Sequence, residues 1–170
     1  MTRTIVGVDP GFSGAIAVLC DGAPKLYRMP LLKQRKHAYH VVEMAKILLG
    51  VNTLQGKTIL ELATAWHTTA ENDGFDYYMP LLVVEQVTRP ASLTRCMGLL
   101  EGLGEALGYE VVTVRPQEWK RYFGLGPVKA DSIALALKTW PALKRFITKA
   151  GDDGLAEAAL IALWAREVLG

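Results

Sequence analysis

Four acidic residues occupy positions where burial makes a carboxylate costly unless a cation or a hydrogen bond holds it. Asp9 and Glu85 each end an apolar run, and Asp153 and Glu157 lie four residues apart where a helix is predicted to begin. A spacing of four places two side chains on one helical face. Carboxylate oxygens are the ligands that Mg²⁺ and Mn²⁺ prefer, and two such ions bridged by carboxylates can support phosphodiester cleavage by an activated water.

Each of these acids also has a structural interpretation. Asp9 begins an Asp-Pro-Gly sequence, which is good turn chemistry, and Asp153 suits the start of a helix, where a carboxylate caps free N–H groups. Glu157 is harder to explain in this way, because five apolar residues, 158–162, follow it directly. A carboxylate at the edge of an apolar helical face indicates a cation nearby.

No softer metal site competes with the carboxylates in the sequence. His37, His40 and His67 are scattered, and Cys20 and Cys96 have neither zinc spacing nor a disulfide framework. We therefore expect reduced cysteines, surface histidines and a site for hard divalent cations.

Length and composition suit one domain over residues 1–170. The chain is 51% hydrophobic and 21% charged, with 19 Lys+Arg against 17 Asp+Glu and a net charge of +2. This weakly basic balance does not by itself require nucleic acid as a partner. Neither a signal peptide nor an apolar run of membrane-spanning length is visible, so we expect a cytoplasmic protein without a membrane partner.

Basic residues are concentrated in two runs. The first contains Lys33, Arg35 and Lys36, and the second extends from Arg115 through Lys120 to Lys129. Such runs are most often solvated surface, and phosphate contact is the alternative that charge alone leaves open.

The acids require elements to position them, and the periodicity predicts an α/β fold with a mixed sheet. Residues 81–84 are apolar without alternation, which is typical of a strand covered on both faces. Predicted strands span residues 3–9, 13–20, 25–29, 81–85 and 109–114, and predicted helices span 39–50, 93–107, 116–123, 129–137 and 153–168. A further helix is suggested around residues 59–66, within a segment, 51–79, to which the sequence assigns no role.

Three glycines, Gly98, Gly102 and Gly104, remove side chains from the helix predicted after the fourth strand. Close packing of that helix on the sheet is the favoured explanation. A contact between two copies of the chain is the alternative.

Several motifs together resemble the RuvC-type Holliday-junction resolvases, and the branch found in phages and plant chloroplasts above all. They are residues 6–11 (VGVDPG), 84–87 (VEQV), 116–120 (PQEWK), the helix from Lys129, and 153–162 (DGLAEAALIA). The resemblance covers nearly the whole chain, in the family's order and spacing. Each motif is weak alone, and the set is specific.

The resemblance implies an RNase H-like fold, a mixed five-stranded sheet flanked by helices, and four acids that hold two Mg²⁺ ions, which Mn²⁺ can replace. It assigns Asp9 and Glu85 to the first two positions and Glu157 to the last. In bacterial resolvases the remaining acid is one residue closer to the last, which here falls on Gly154. Asp153 is therefore the expected fourth acid, with Asp152 as the alternative metal ligand.

The same resemblance implies a homodimer that resolves four-way DNA junctions by paired symmetric nicks, and that also cuts other branched DNA. It places the protein in a bacterial or phage-infected cytoplasm, or in an organelle nucleoid. Where bacterial RuvC has an aromatic wedge, this chain has Thr88-Arg89-Pro90, so Arg89 is expected to contact phosphate instead. Lys120 and Lys129 are expected to contact the DNA backbone, with Lys33, Arg35 and Lys36 as further candidates.

Other function classes share parts of this pattern. Actin-like ATPases also open with an apolar strand, an Asp and a phosphate-cradling hairpin, but they need more than about twice the usual domain length, so the chain would be a fragment. A branched-DNA-binding protein that does not cleave is the other alternative, although all four carboxylates are present. An RNA-directed hydrolase is compatible with the same acids.

Overall fold

A mixed five-stranded sheet forms the centre of this computed structural model, which describes residues 3–33, 38–54 and 79–170. The strands are β1 (Ile5–Asp9), β2 (Ala15–Leu19), β3 (Lys25–Arg28), β4 (Leu81–Glu85) and β5 (Glu110–Val114), in the spatial order β3-β2-β1-β4-β5. The helix suggested around residues 59–66, and Arg35 and Lys36, lie outside the described residues.

The strand directions bring two of the acids to one edge of the sheet. β1, β2 and β3 form an antiparallel meander, whereas β4 pairs in parallel with β1 and β5 in parallel with β4. Val8 of β1 lies opposite Val84 of β4, and each is followed by an acid. Because parallel strands end at the same edge, Asp9 and Glu85 are neighbours there.

Helices cover both faces of the sheet, as expected for a central strand that is apolar throughout. They are α1 (Val41–Leu54), α2 (Ala91–Ala106), α3 (Pro116–Tyr122), α4 (Lys129–Thr139) and α5 (Asp153–Val168), with short 3₁₀ turns at Pro141–Arg145 and Ala150–Asp152. The core on one face includes residues of α1 and α2, and the core on the other includes residues of α3, α4 and α5. In the described part of the chain, every helix is too short or too polar to cross a bilayer.

The helix α5 packs directly on β1 because small residues meet at the crossing. A Cβ added to Gly7 would lie 2.5 Å from the Ala162 nitrogen and would also overlap the carbonyl oxygen of Ala158. The buried side of α5 presents alanines to the strand, including Ala158 and Ala162 themselves. This close approach sets the first turn of α5 beside the end of β1.

The predicted architecture, a mixed five-stranded α/β sheet flanked by helices, is confirmed. Helix boundaries are less well predicted, since α1 extends to Leu54, beyond the expected end at residue 50. The expected packing of glycines on the sheet is confirmed for Gly104, where a Cβ would lie 2.6 Å from a Leu82 methyl carbon. It is wrong for Gly98 and Gly102, which are exposed and where a Cβ would meet nothing.

Candidate active site

The four acids singled out by the sequence come together at the carboxyl edge of the sheet. Asp9 ends β1, Glu85 ends β4, and Asp153 and Glu157 project from the first turns of α5. The negative charges of Glu157 and Asp153 are close enough to raise the pKa of Asp9, and the charges of Asp9 and Glu157 raise that of Glu85. One cluster therefore contains carboxylates from three elements that are distant in sequence.

Asp9 is held by the turn that follows it. The backbone N–H of Gly11 donates a hydrogen bond of 2.9 Å to Asp9 Oδ1. Gly154, beside Asp153, lets α5 reach this turn, because a Cβ there would lie 2.7 Å from the Gly14 Cα and 3.0 Å from Asp9 Oδ2. The Asp-Pro-Gly turn and the acid cluster are thus one structure, and the two interpretations of Asp9 are compatible.

Glu85 has a partner that the sequence analysis missed. The indole N–H of Trp119, a fully buried residue of α3, donates a 2.9 Å hydrogen bond to Glu85 Oε1. The order of the elements could have indicated this contact, because α3, which carries Trp119, directly follows β5, and β5 lies beside β4, which ends at Glu85. The bond fixes one oxygen of a carboxylate that is itself only 7% exposed.

Two lysines form ion pairs with acids of the cluster. Lys120 Nζ lies 2.8 Å from Glu157 Oε1, an oxygen that also lies 3.3 Å from the Ser132 hydroxyl. Lys129 Nζ forms an ion pair with Asp153 Oδ2. The cation expected near Glu157 is therefore Lys120, and both lysines expected to contact DNA backbone are paired with acids of the cluster in this structure.

Burial and mutual repulsion raise the proton affinity of the two strand-end acids. Loss of solvent is the main cause that raises the pKa of Asp9 to about 6, against the lowering effect of the Gly11 hydrogen bond. Burial likewise raises the pKa of Glu85 to about 7, with the Asp9 charge adding to it and the Trp119 bond opposing it. The site therefore favours a neutralising proton or cation at both positions.

Replacing Asp9 with Asn should stabilise the metal-free fold at pH 8. A raised folded-state pKa means that stability falls as pH rises from about 4 through about 6, because the folded state binds more protons than the unfolded chain in that window. Asn keeps the oxygen that accepts from Gly11 and removes the charge. We expect a gain of about 1–3 kcal/mol in the free energy of unfolding at pH 8, and almost none at pH 4.

Urea denaturation in EDTA at the two pH values measures this difference, with the exposed Asp21→Asn as the control. An equal effect of Asp9→Asn at both pH values would contradict the prediction.

The cluster suits a hard divalent cation, because all four acids offer carboxylate oxygens as ligands. Burial also disfavours the unneutralised charge of Asp9 and of Glu85. In this conformation, however, each carboxylate faces a protein donor: Gly11, Trp119, Lys129 or Lys120. No three metal-binding side chains among the described residues converge on a point that one ion could occupy. Side-chain rotation within the cluster would be needed to hold an ion.

Asp152, the alternative fourth acid, belongs to a different set of contacts. Its Oδ1 lies 2.7 Å from an Arg28 guanidinium nitrogen, and its Oδ2 accepts from the backbone N–H groups of Thr148 and Lys149. Arg28, with help from these N–H groups, lowers the pKa of Asp152 to about 2. With both oxygens engaged, Asp152 serves as a fold-stabilising residue, and Asp153 is the acid that joins the cluster.

The neighbouring acids Asp152 and Asp153 should therefore respond oppositely to substitution. Asp152→Ala removes the partner of Arg28 and of two part-buried backbone N–H groups and should cost about 1–3 kcal/mol of stability, with little loss of activity per folded molecule. Asp153→Asn should leave stability nearly unchanged, because its partner Lys129 is 67% exposed and readily solvated. It should lower any activity of the cluster by about a hundredfold.

Thermal unfolding and active-fraction kinetics on the two variants separate these effects. Loss of activity in folded Asp152→Ala, with activity kept in Asp153→Asn, would reverse the assignment.

Two further predicted DNA contacts, Arg89 and Lys33, lie within the described residues. Arg89 follows β4 and Lys33 precedes the bridge residue Tyr39, and both are exposed. Neither forms an ion pair with an acid in the described ranges. Among the described residues, no hydrogen bond or ion pair links either of them to the cluster.

No protein-family model matches the sequence, and no curated protein matches it. Solved structures do match the fold. The RuvC of T. thermophilus in complex with Holliday junction substrate superposes with a TM-score of 0.53 at 11% identity, covering 97% of this chain and 95% of that one. A second Thermus thermophilus RuvC structure has a TM-score of 0.48 at 15% identity, covering 98% and 97% of the two chains. The fold of this protein is RuvC-like.

Proposed function

We propose that the protein is a metal-dependent endonuclease that resolves four-way DNA junctions, and that also cuts other branched DNA. The observation that carries this proposal is the convergence of Asp9, Glu85, Asp153 and Glu157 at one edge of a RuvC-like sheet. The structure with TM-score 0.53 was solved with a Holliday junction bound.

The four carboxylates would hold two Mg²⁺ ions, or Mn²⁺ in their place, which when bound supply Lewis-acid stabilisation of the phosphodiester and an activated water. Gly11 and Trp119 each fix one oxygen of a strand-end acid, so that the second oxygen of each remains free for a ligand. Lys120 and Lys129 neutralise part of the cluster's charge, which allows a polyanion to approach an otherwise acidic surface.

The working unit in this proposal is a homodimer of a single-domain chain, residues 1–170. A symmetric junction needs paired nicks, and a two-fold dimer supplies two active sites. The proposal places the protein in a bacterial or phage-infected cytoplasm, or in an organelle nucleoid, wherever such junctions form.

A nicking assay on a labelled synthetic four-way junction tests the function. We expect symmetric cuts with Mg²⁺, none in EDTA, and weak or no cutting of a linear duplex of the same sequence. Binding of the junction without cuts in Mg²⁺ or Mn²⁺ would identify a non-cleaving junction-binding protein instead. Cuts in single-stranded or hybrid RNA alone would redirect the assignment to an RNA hydrolase.

A further inference from the structure

A second cationic region lies outside the acid cluster, in a part of the chain that the proposed function does not use. Between Asp131 and Asp152 the sequence contains four cations and no acid. Three of these cations, Lys144, Arg145 and Lys149, lie on or beside the two 3₁₀ turns that precede α5, and all three are exposed. Within the described ranges, no acidic side chain forms an ion pair with any of them.

A groove of about 520 Å³ separates this region from α4. Ile133 and Leu137 of α4 and the buried Ile147 line it, and Lys144 and Lys149 contribute to its wall. We call this feature, with the adjoining Arg145 and Phe146, the basic groove. Because no acid among the described residues pairs with these cations, their charge is available to an external anion.

Phe146 adds an aromatic surface beside the groove. Its side chain is 41% exposed, and the Arg145 guanidinium carbon lies 4.6 Å from the centre of its ring. An arginine stacked on an exposed aromatic ring offers a charge for phosphate and a face on which a base can stack.

Two chain connections relate the basic groove to the acid cluster. Ala130, which lines it, follows Lys129, whose ammonium pairs with Asp153. On the other side, the backbone N–H of Lys149 donates to Asp152, the residue before Asp153. The groove is therefore lined by residues that directly precede or follow those bonded to Asp152 and Asp153 at the start of α5.

We propose that the basic groove binds the phosphate backbone of a duplex arm adjacent to the cut, as an extension of the active site. This inference rests on the proposed nuclease function. It adds a DNA-binding surface whose cations, Lys144, Arg145 and Lys149, lie outside the motifs that resemble RuvC-type resolvases. Lysine and arginine contacts to phosphates supply affinity and register without reading sequence, and each phosphate neutralised steepens the salt dependence of binding. An acidic protein segment would match the charge of the groove, but the proposed nuclease function supplies no reason for one to bind beside α5.

The test compares two triple variants with equal charge change. One carries Lys144→Ala, Arg145→Ala and Lys149→Ala. The matched control carries Lys25→Ala, Lys46→Ala and Arg95→Ala, which are exposed and lie on β3, α1 and α2, away from the 3₁₀ turns. Junction affinity is measured in EDTA at several salt concentrations, and the nicking rate is measured in Mg²⁺ at saturating enzyme.

We expect the groove variant to bind the junction about tenfold more weakly at low salt, with the slope of log affinity against log salt reduced by about 2–3. Its nicking rate at saturation should stay within about twofold of wild type, because the acid cluster is intact. An affinity and slope equal to those of the control variant would overturn the inference. Wild-type protein that neither binds nor cuts the junction would instead overturn the proposed function.

Lysine acetylation of the wild-type protein gives a second measurement that does not depend on any variant folding. Bound junction should protect Lys144 and Lys149 from the reagent, as read by mass spectrometry, and should leave Lys25 and Lys46 reactive. Equal reactivity of all four lysines with and without saturating junction would contradict the proposal.

Discussion

Glu85→Gln is expected to reduce nicking of a four-way junction by about a thousandfold or more, while junction affinity in EDTA stays within about twofold of wild type. A thousandfold loss corresponds to about 4 kcal/mol of transition-state stabilisation, which is the scale on which a carboxylate that holds a catalytic ion contributes. Replacing one carboxylate oxygen of Glu85 with an amide nitrogen therefore tests its proposed role directly.

Glutamine should fit the position of Glu85 without disturbing the fold. The Gln carbonyl oxygen can still accept from the Trp119 indole N–H, so the contact that fixes this side chain is retained. Gln also carries no charge, and burial already raises the pKa of Glu85 to about 7, so the folded protein should be at least as stable at pH 8. A loss of activity then reports on the lost negative charge and its ligand oxygen, and unfolding does not account for it.

The exposed Glu105→Gln on α2 is the control and should nick junctions at the wild-type rate. The measurement is a single-turnover rate on the labelled junction in Mg²⁺, with binding measured separately in EDTA. If Glu85→Gln kept a tenth or more of the wild-type rate, the four-carboxylate site would not be the catalytic centre.

Gly7→Ala is expected to destabilise the fold by about 3 kcal/mol or more, the largest effect on stability that we predict from a single methyl group. The added Cβ would lie 2.5 Å from the Ala162 nitrogen and would overlap the Ala158 carbonyl oxygen, so it meets helix backbone and not the end of a movable side chain. Overpacking of this kind costs about 1–3 kcal/mol where neighbours can shift, and more where they cannot.

The same substitution at Gly98 should have the opposite sign. Gly98 lies inside α2, is exposed, and a Cβ there would meet no atom within 4 Å. Alanine lowers the entropy of the unfolded chain and favours the helix, so we expect a gain of about 0.5–1 kcal/mol. Urea denaturation of the two variants gives both values in one experiment, and a loss at Gly7 no larger than about 1 kcal/mol would mean that α5 does not pack on β1 as closely as described.

The activity of Gly7→Ala links packing to the site. Moving α5 off β1 would carry Asp153 and Glu157 away from Asp9, because both acids begin that helix. The folded fraction of this variant should therefore nick junctions more slowly than wild type, whereas folded Gly98→Ala should keep the wild-type rate.

The sequence by itself determined the five strands, most of the helices and three of the four acids, Asp9, Glu85 and Glu157. An uninterrupted apolar run that ends in a carboxylate, as at residues 81–85, predicts a buried strand with the acid at its tip, because both properties are local. The spacing of Asp153 and Glu157 is equally local, since one helical turn places them on the same face. The order of the motifs along the chain also predicted the RuvC-like fold.

Only the tertiary structure decided the long-range contacts of the acids. Trp119 meets Glu85 across 34 positions of sequence, Lys120 meets Glu157 across 37, and Arg28 meets Asp152 across 124. Such pairs depend on how α3, α4 and α5 pack over the sheet, and neither periodicity nor spacing encodes that packing. The sequence left Asp152 and Asp153 as alternatives for the same physical reason. Adjacent side chains at the start of a helix point in different directions, and only the residues that each one faces in the fold distinguish them.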